Sequence, residues 1–150
     1  MRQQSRPPEN VVEILEAHDQ LELFVRALND TELREVLEGH EGPLTIFAPL
    51  DSAFERLSDE RLDRLFRNEH RPVLRRIARR HVVPRNLRAS SLKNGLVETL
   101  GGAMVETESA DRRLAFDGGE LTRTDIVASN GLIHTVDRLS VPENLDDLFL

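Results

Sequence analysis

Apolar residues recur at helical spacing along the first part of the chain, and from Val97 onward they alternate. Val11, Ile14 and Leu15 follow Asn10, a side chain suited to capping, which predicts a helix over residues 10–18. Leu21, Phe24, Val25 and Leu28 form an i, i+3, i+4, i+7 stripe, and Asp19 is placed to cap it. A third short helix is expected over residues 31–37, started by Thr31 and ended by Gly39. Such stripes face a core and carry no function of their own.

Leu44, Thr45, Ile46 and Phe47 read as a buried strand stopped by Pro49. Asp51 is expected to cap residues 52–57, its carboxylate accepting backbone N–H groups at the positive end of the helix dipole, which explains it without a catalytic role. Further helices are predicted over residues 58–66 and, with Pro72 in its first turn, up to Arg80. His81, Val82, Val83 and Pro84 lead into extended structure, and residues 85–95 read as a loop with one helical turn around 87–92.

Short strands follow at 97–100, 103–107, 114–116 and 121–124, separated by Gly101-Gly102, Ser109-Ala110-Asp111 and Asp117-Gly118-Gly119. They form a meander that runs into residues 125–142, DIVASNGLIHTVDRLSVP. That stretch predicts a hairpin turning at Asn130-Gly131, where a type I′ turn requires positive φ at both residues. Ile126 and Ala128 fall on one face and Val127 and Ser129 on the other. Past the turn, Leu132, His134 and Val136 share a face opposite Ile133 and Thr135. Apolar residues on both faces imply an interior hairpin. Asn144 would cap a last turn docking Leu145, Leu148, Phe149 and Leu150. Residues 1–9 read as a mobile polar tail and 10–150 as one domain without repeats, and helices first, strands later is an α+β order.

The segment NGLIHTVDRLSVP, carrying Asn130, Gly131, His134, Asp137 and Pro142, resembles the closing box of fasciclin domains. LTIFAPLDSAF, with Thr45, Phe47, Ala48, Pro49, Asp51 and Phe54, resembles their first box, and the HVVP segment is similar to their intermediate landmark. These landmarks stand in the family's order over residues 44–142. The resemblance implies a wedge-like β-sandwich with N-terminal and middle helices packed along it. It also implies an extracellular, periplasmic or cell-surface module for adhesion, bound to a surface protein or glycan. In some members an Asp-Ile pair before the closing box is linked to receptor binding, and Asp125-Ile126 matches it. A Tyr-His pair is implicated in adhesion in others; His81 matches its His, but Arg80 stands where the Tyr would be, so that role transfers poorly. Leu50 likewise replaces the family's usual polar residue.

At 150 residues and 39% hydrophobic content the chain can build one real core, from aliphatic residues and six Phe, with no Tyr or Trp. No apolar run reaches the roughly 20 residues of a membrane helix. The opening MRQQSRPPEN lacks the apolar segment of a secretory signal, which leaves a cytoplasmic location open beside the secreted one. Cys is absent, so thiol chemistry and disulfides are excluded.

Net charge is −7, yet residues 56–88 carry 11 Arg against four acids. Arg71, Arg75, Arg76, Arg79 and Arg80 share the arc opposite Val73, Leu74, Ile77 and Ala78. That arc reads either as a solvated face or as an anion site for nucleic acid or acidic glycan in an intracellular protein. No aromatic residue interleaves with it, which disfavours nucleic acid. His18, His40, His70, His81 and His134 have no i, i+4 pairing of a zinc site, and no cofactor fingerprint is present. His81 and His134, with Asp137, are candidates to lie near one another, and His134 is expected to bond buried backbone rather than a metal. The combined expectation is a monomeric, non-enzymatic binding protein without cofactor.

Overall fold

The computed structural model describes residues 9–149. In chain order the elements are α1 (Val11–Ala17), α2 (Glu22–Asp30), α3 (Leu33–Glu38), β1 (Leu44–Pro49), α4 (Asp51–Glu55), α5 (Asp59–Leu65) and α6 (Arg71–Arg79). There follow β2 (Val82–Val83), β3 (Gly95–Glu98), β4 (Met104–Ala110), β5 (Arg113–Phe116), β6 (Gly119–Ala128), β7 (Gly131–Val136) and α7 (Leu145–Leu148).

The strands form one sheet in the order β2-β1-β7-β6-β5-β4-β3. The β3–β7 meander is antiparallel throughout, as the alternating pattern implies. β1, which arrives after the first three helices, enters parallel to β7, with Leu44 opposite Gly131 and Pro49 opposite Val136. The sheet curls so far that its ends meet: Leu100, just past β3, donates its N–H to Val82 O of β2 at 2.7 Å. Phe47 of β1 stacks on Phe116 of β5 at 4.0 Å, although β7 and β6 lie between those strands in the sheet. The result is the α+β wedge-like sandwich, nearly a barrel, with helices along one side.

Alternation in the strands divides the interior into two cores. Leu44, Ile46 and Ala48 of β1 and Ile133 of β7 pack under the helices, against Leu15, Phe24, Leu28 and Leu74. Phe47, Val83, Val136, Val97, Val105 and Phe116 fill the space inside the curl. Burying each such side chain contributes about 1.5–3 kcal/mol, so the two faces of β1 and β7 hold the molecule together.

Several local expectations are corrected. The cap of α1 at Asn10 is a full capping box with Glu13, but Asp19 does not cap α2, whose N-cap position is Leu21. Thr31 ends α2 rather than starting α3: its Oγ1 donates to Ala27 O at 2.7 Å, and α3 starts after Glu32 at φ 63°. β1 runs two residues past the expected Phe47 and ends at Pro49, the residue expected to stop it. Asn144 occupies the N-cap of α7 without a side-chain bond. Glu9 is tied to the body, its carbonyl accepting from Ser129 N–H at 2.8 Å; the rest of the expected tail, 1–8, and Leu150 lie outside the described residues.

The central hairpin also differs. β6 extends over ten residues and is largely exposed, Val127 at 65%, whereas β7 is buried on both faces; only the second strand is interior. The loop is Ser129-Asn130, between the paired Ala128 and Gly131. Neither Asn130 nor Gly131 has positive φ, so the turn is not type I′. Both residues are required by contacts instead. A Cβ at Gly131 would lie 2.2 Å from Leu44 O. The Asn130 side chain accepts from Val11 N–H at 3.0 Å and donates to Leu37 O at 2.9 Å, joining α1 and α3 to the sheet.

Candidate functional site

The two boxes meet as neighbouring strands, which places Phe47 beside His134 in register. Their polar side chains are committed to the fold. Thr45, fully buried, donates to Arg85 O at 2.7 Å and accepts from Leu87 N–H at 2.9 Å. Asp137 accepts from Glu120 N–H at 2.8 Å, closing the start of β6. Asp51 is not the cap of its own helix. Its Oδ1 accepts from Leu23 N–H at 2.8 Å in the first turn of α2, and its N–H donates to Gln20 O at 2.8 Å. Phe54, Ala48 and Pro142 are buried.

His134 is wholly buried; its Nε2–H donates to Leu87 O at 2.8 Å and its Nδ1 accepts from Asp125 N–H at 3.0 Å. Burial lowers its pKa, and the neutral ring this favours matches the one-donor, one-acceptor pattern. Asp125 adopts φ 57° at a register break in β6, and its Oδ1 accepts from Ala89 N–H at 2.9 Å. The bulge leaves Asp125 exposed and Ile126 half-buried against the helix-side core.

His81 is 0% exposed and is therefore not a surface contact residue. Its Nδ1–H donates to Ile77 O at 2.9 Å and its Nε2 accepts from Ser140 N–H at 3.0 Å. Burial drives its pKa down to about 4, so it is neutral. The two histidines do not meet; the Phe47–Phe116 stack stands between them, touching His134 on one side and His81 on the other.

The arginine arc of α6 is divided by the fold. Arg80, its side chain only 14% exposed, donates to Ser140 Oγ at 3.1 Å and pairs with Asp117 at 3.3 Å. Ser140 Oγ in turn donates to Asp117 at 2.5 Å, so Arg80 belongs to a structural network rather than to the open face. Arg75 Nε donates to Thr31 O at 3.1 Å, and Arg71 donates to Asn68 at 3.0 Å. Arg76 and Arg79 are exposed and, among the described residues, take part in no ion pair.

Opposite these arginines the connection between β3 and β4 forms a second wall, enclosing an open groove of about 520 Å³. Thr99, Gly101 and Ala103 supply that wall. The sequence marked Gly101-Gly102 only as a turn; nothing in its local pattern says that the turn lands across from α6. Among the described residues no group of three or more His, Asp or Glu side chains is placed to hold a metal ion, and no helix is long and apolar enough to cross a membrane.

A family model for the fasciclin domain matches residues 19–142. Protein sll1483 of Synechocystis is 30% identical over 132 residues, covering 88% of this chain and 73% of that protein. Pig transforming growth factor-beta-induced protein ig-h3 is 31% identical over 93% of this chain, and human periostin is 28% identical over 90%. The chain spans only 20% and 16% of those two proteins. Among solved structures, a FAS1 domain pair from the insect cell adhesion molecule fasciclin I superposes with a TM-score of 0.81 at 17% identity, over 93% of this chain and 53% of the pair.

Proposed function

Because the chain belongs to the fasciclin domain family, we propose that it is a non-catalytic, monomeric binding module that works at the cell surface or outside the cytoplasm, attaching to a surface protein or glycan. The observation that carries this reading is the exposed bulge at Asp125 and the outward face beyond it. The backbone there is pinned by His134 and Ala89, while Thr122, Arg123, Thr124 and Val127 are exposed. An irregular, mostly polar strand surface with one exposed apolar side chain, Val127, suits recognition of a macromolecule better than chemistry on a small one. The adhesion-molecule origin of the solved neighbour supports the same reading.

The test has two parts. Fractionation and protease shaving of intact cells locate the native product, and cell attachment is compared between wild type and Val127→Glu, a change at a 65% exposed position. Recovery from the surface, periplasm or medium, with attachment reduced in the variant, is the expected result. Strictly cytosolic recovery overturns the reading.

A further inference from the structure

We propose that the groove between α6 and the 99–103 turn binds the acid groups of an anionic polysaccharide. The arginines of α5 and just past its end are already paired with acids: Arg61 with Asp146, Arg64 with Glu60 and Arg67 with Asp63. Arg76 and Arg79, by contrast, stand in the groove unmatched by any described carboxylate. Arg56, Arg88 and Arg123 also stand outside ion pairs among the described residues, so what sets Arg76 and Arg79 apart is that both line one groove. Planar guanidinium forks suit carboxylate and sulfate oxygens.

The flanking groups fix the geometry. Arg75 is held by Thr31 O and Arg80 by Ser140 and Asp117, so their stems line the groove without turning into it freely. On the far side, a Cβ at Gly101 would come within 3.2 Å of the Arg79 Cβ, so the glycine lets the Arg79 stem lie against the turn. No acidic side chain lines the groove, and Thr99, Gly101 and Ala103 present only small groups opposite the guanidiniums.

Size and composition narrow the ligand. A groove of about 520 Å³ is of the class that accepts a few sugar rings. It is open, so a polymer can run through it. No aromatic side chain lines it, which removes the stacking platform that single-stranded nucleic acid uses. The choice of a surface polysaccharide rests on the binding-module reading; the arginine site itself does not.

Purified protein in solution is titrated with dextran sulfate, polygalacturonate, neutral dextran and single-stranded DNA of matched charge, across a range of salt. The expected result is binding of one of the two acidic polysaccharides, weakening steeply with salt, with DNA weaker and neutral dextran silent. Arg76→Gln with Arg79→Gln should lower that affinity at least about tenfold and reduce the salt slope by about two, one for each guanidinium removed. Ala103→Glu, on the opposite wall, should lower it as well by repulsion, with both variants keeping the wild-type circular dichroism. Binding unchanged in both variants, DNA binding as tightly as the polysaccharides, or no binding to either polysaccharide overturns the proposal. Because the measurement is made on isolated protein, it can fail while the location and attachment results above stand, or the reverse.

Discussion

Asp125 donates its backbone N–H to Nδ1 of His134 at 3.0 Å, and this bond fixes the bulge of β6 against the buried centre of β7. The other nitrogen of the same ring holds Leu87, and the Asp125 carboxylate holds Ala89, so both residues grip the loop after β2. The exposed bulge is thus built on a buried imidazole.

Replacing His134 by Ala should destabilise the fold by about 2–5 kcal/mol, since it opens a cavity and leaves Leu87 O and Asp125 N–H without partners. Asp125→Ala should cost about 1–2 kcal/mol, from the broken bond to Ala89 and from the positive φ. Urea denaturation checks both. A loss below about 1 kcal/mol for His134→Ala would mean that the ring does not anchor the bulge.

His81 makes stability depend on pH. Its folded pKa is about 4, below the ordinary 6.5, so protons bind the unfolded chain more tightly. Stability is therefore full above pH 6.5 and falls progressively as the pH drops from there through 4, by on the order of 3 kcal/mol. His134, shifted the same way by burial, adds to the trend. Denaturation midpoints measured between pH 7 and 4 should decline for wild type and decline less for His81→Asn. Identical slopes in the two proteins would remove His81 as the cause.

The periods of the hydrophobic pattern made most elements legible, because helices and strands here each bury one regular stripe or alternate between two cores. What stayed hidden were side chains whose partners are distant in sequence. Asn130 and Asp51 look like a turn residue and a local cap, and their types are correct for those roles. The structure uses the same hydrogen-bonding ability across 119 and 28 positions of chain instead. The groove beside α6 was half visible for the same reason: the arginine arc is periodic, but the wall facing it comes from another element.

Asp51 and Asp19 separate these two kinds of inference. Asp51→Ala should cost about 1 kcal/mol or more through loss of the cap on Leu23 N–H at the start of α2. Asp19→Ala, at an exposed residue just before the same helix, should change stability by less than about 0.5 kcal/mol. Chemical denaturation of the two variants decides the matter, and the reverse order would restore Asp19 as the cap.

Gly131 gives the sharpest contrast, because its glycine is needed for space and not for a left-handed backbone. A methyl group there would meet the Leu44 carbonyl oxygen at 2.2 Å, inside the parallel ladder that joins the two boxes. Gly131→Ala must push β1 and β7 apart, so a loss of about 3 kcal/mol or more, or failure to fold, is expected. Gly102 has φ +91 with nothing within 4 Å, so Gly102→Ala meets only backbone strain, about 1–2 kcal/mol. Thermal unfolding of the two variants ranks them directly. If Gly131→Ala were the milder of the two, close approach of β1 to β7 would not be the constraint that keeps a glycine at the closing turn.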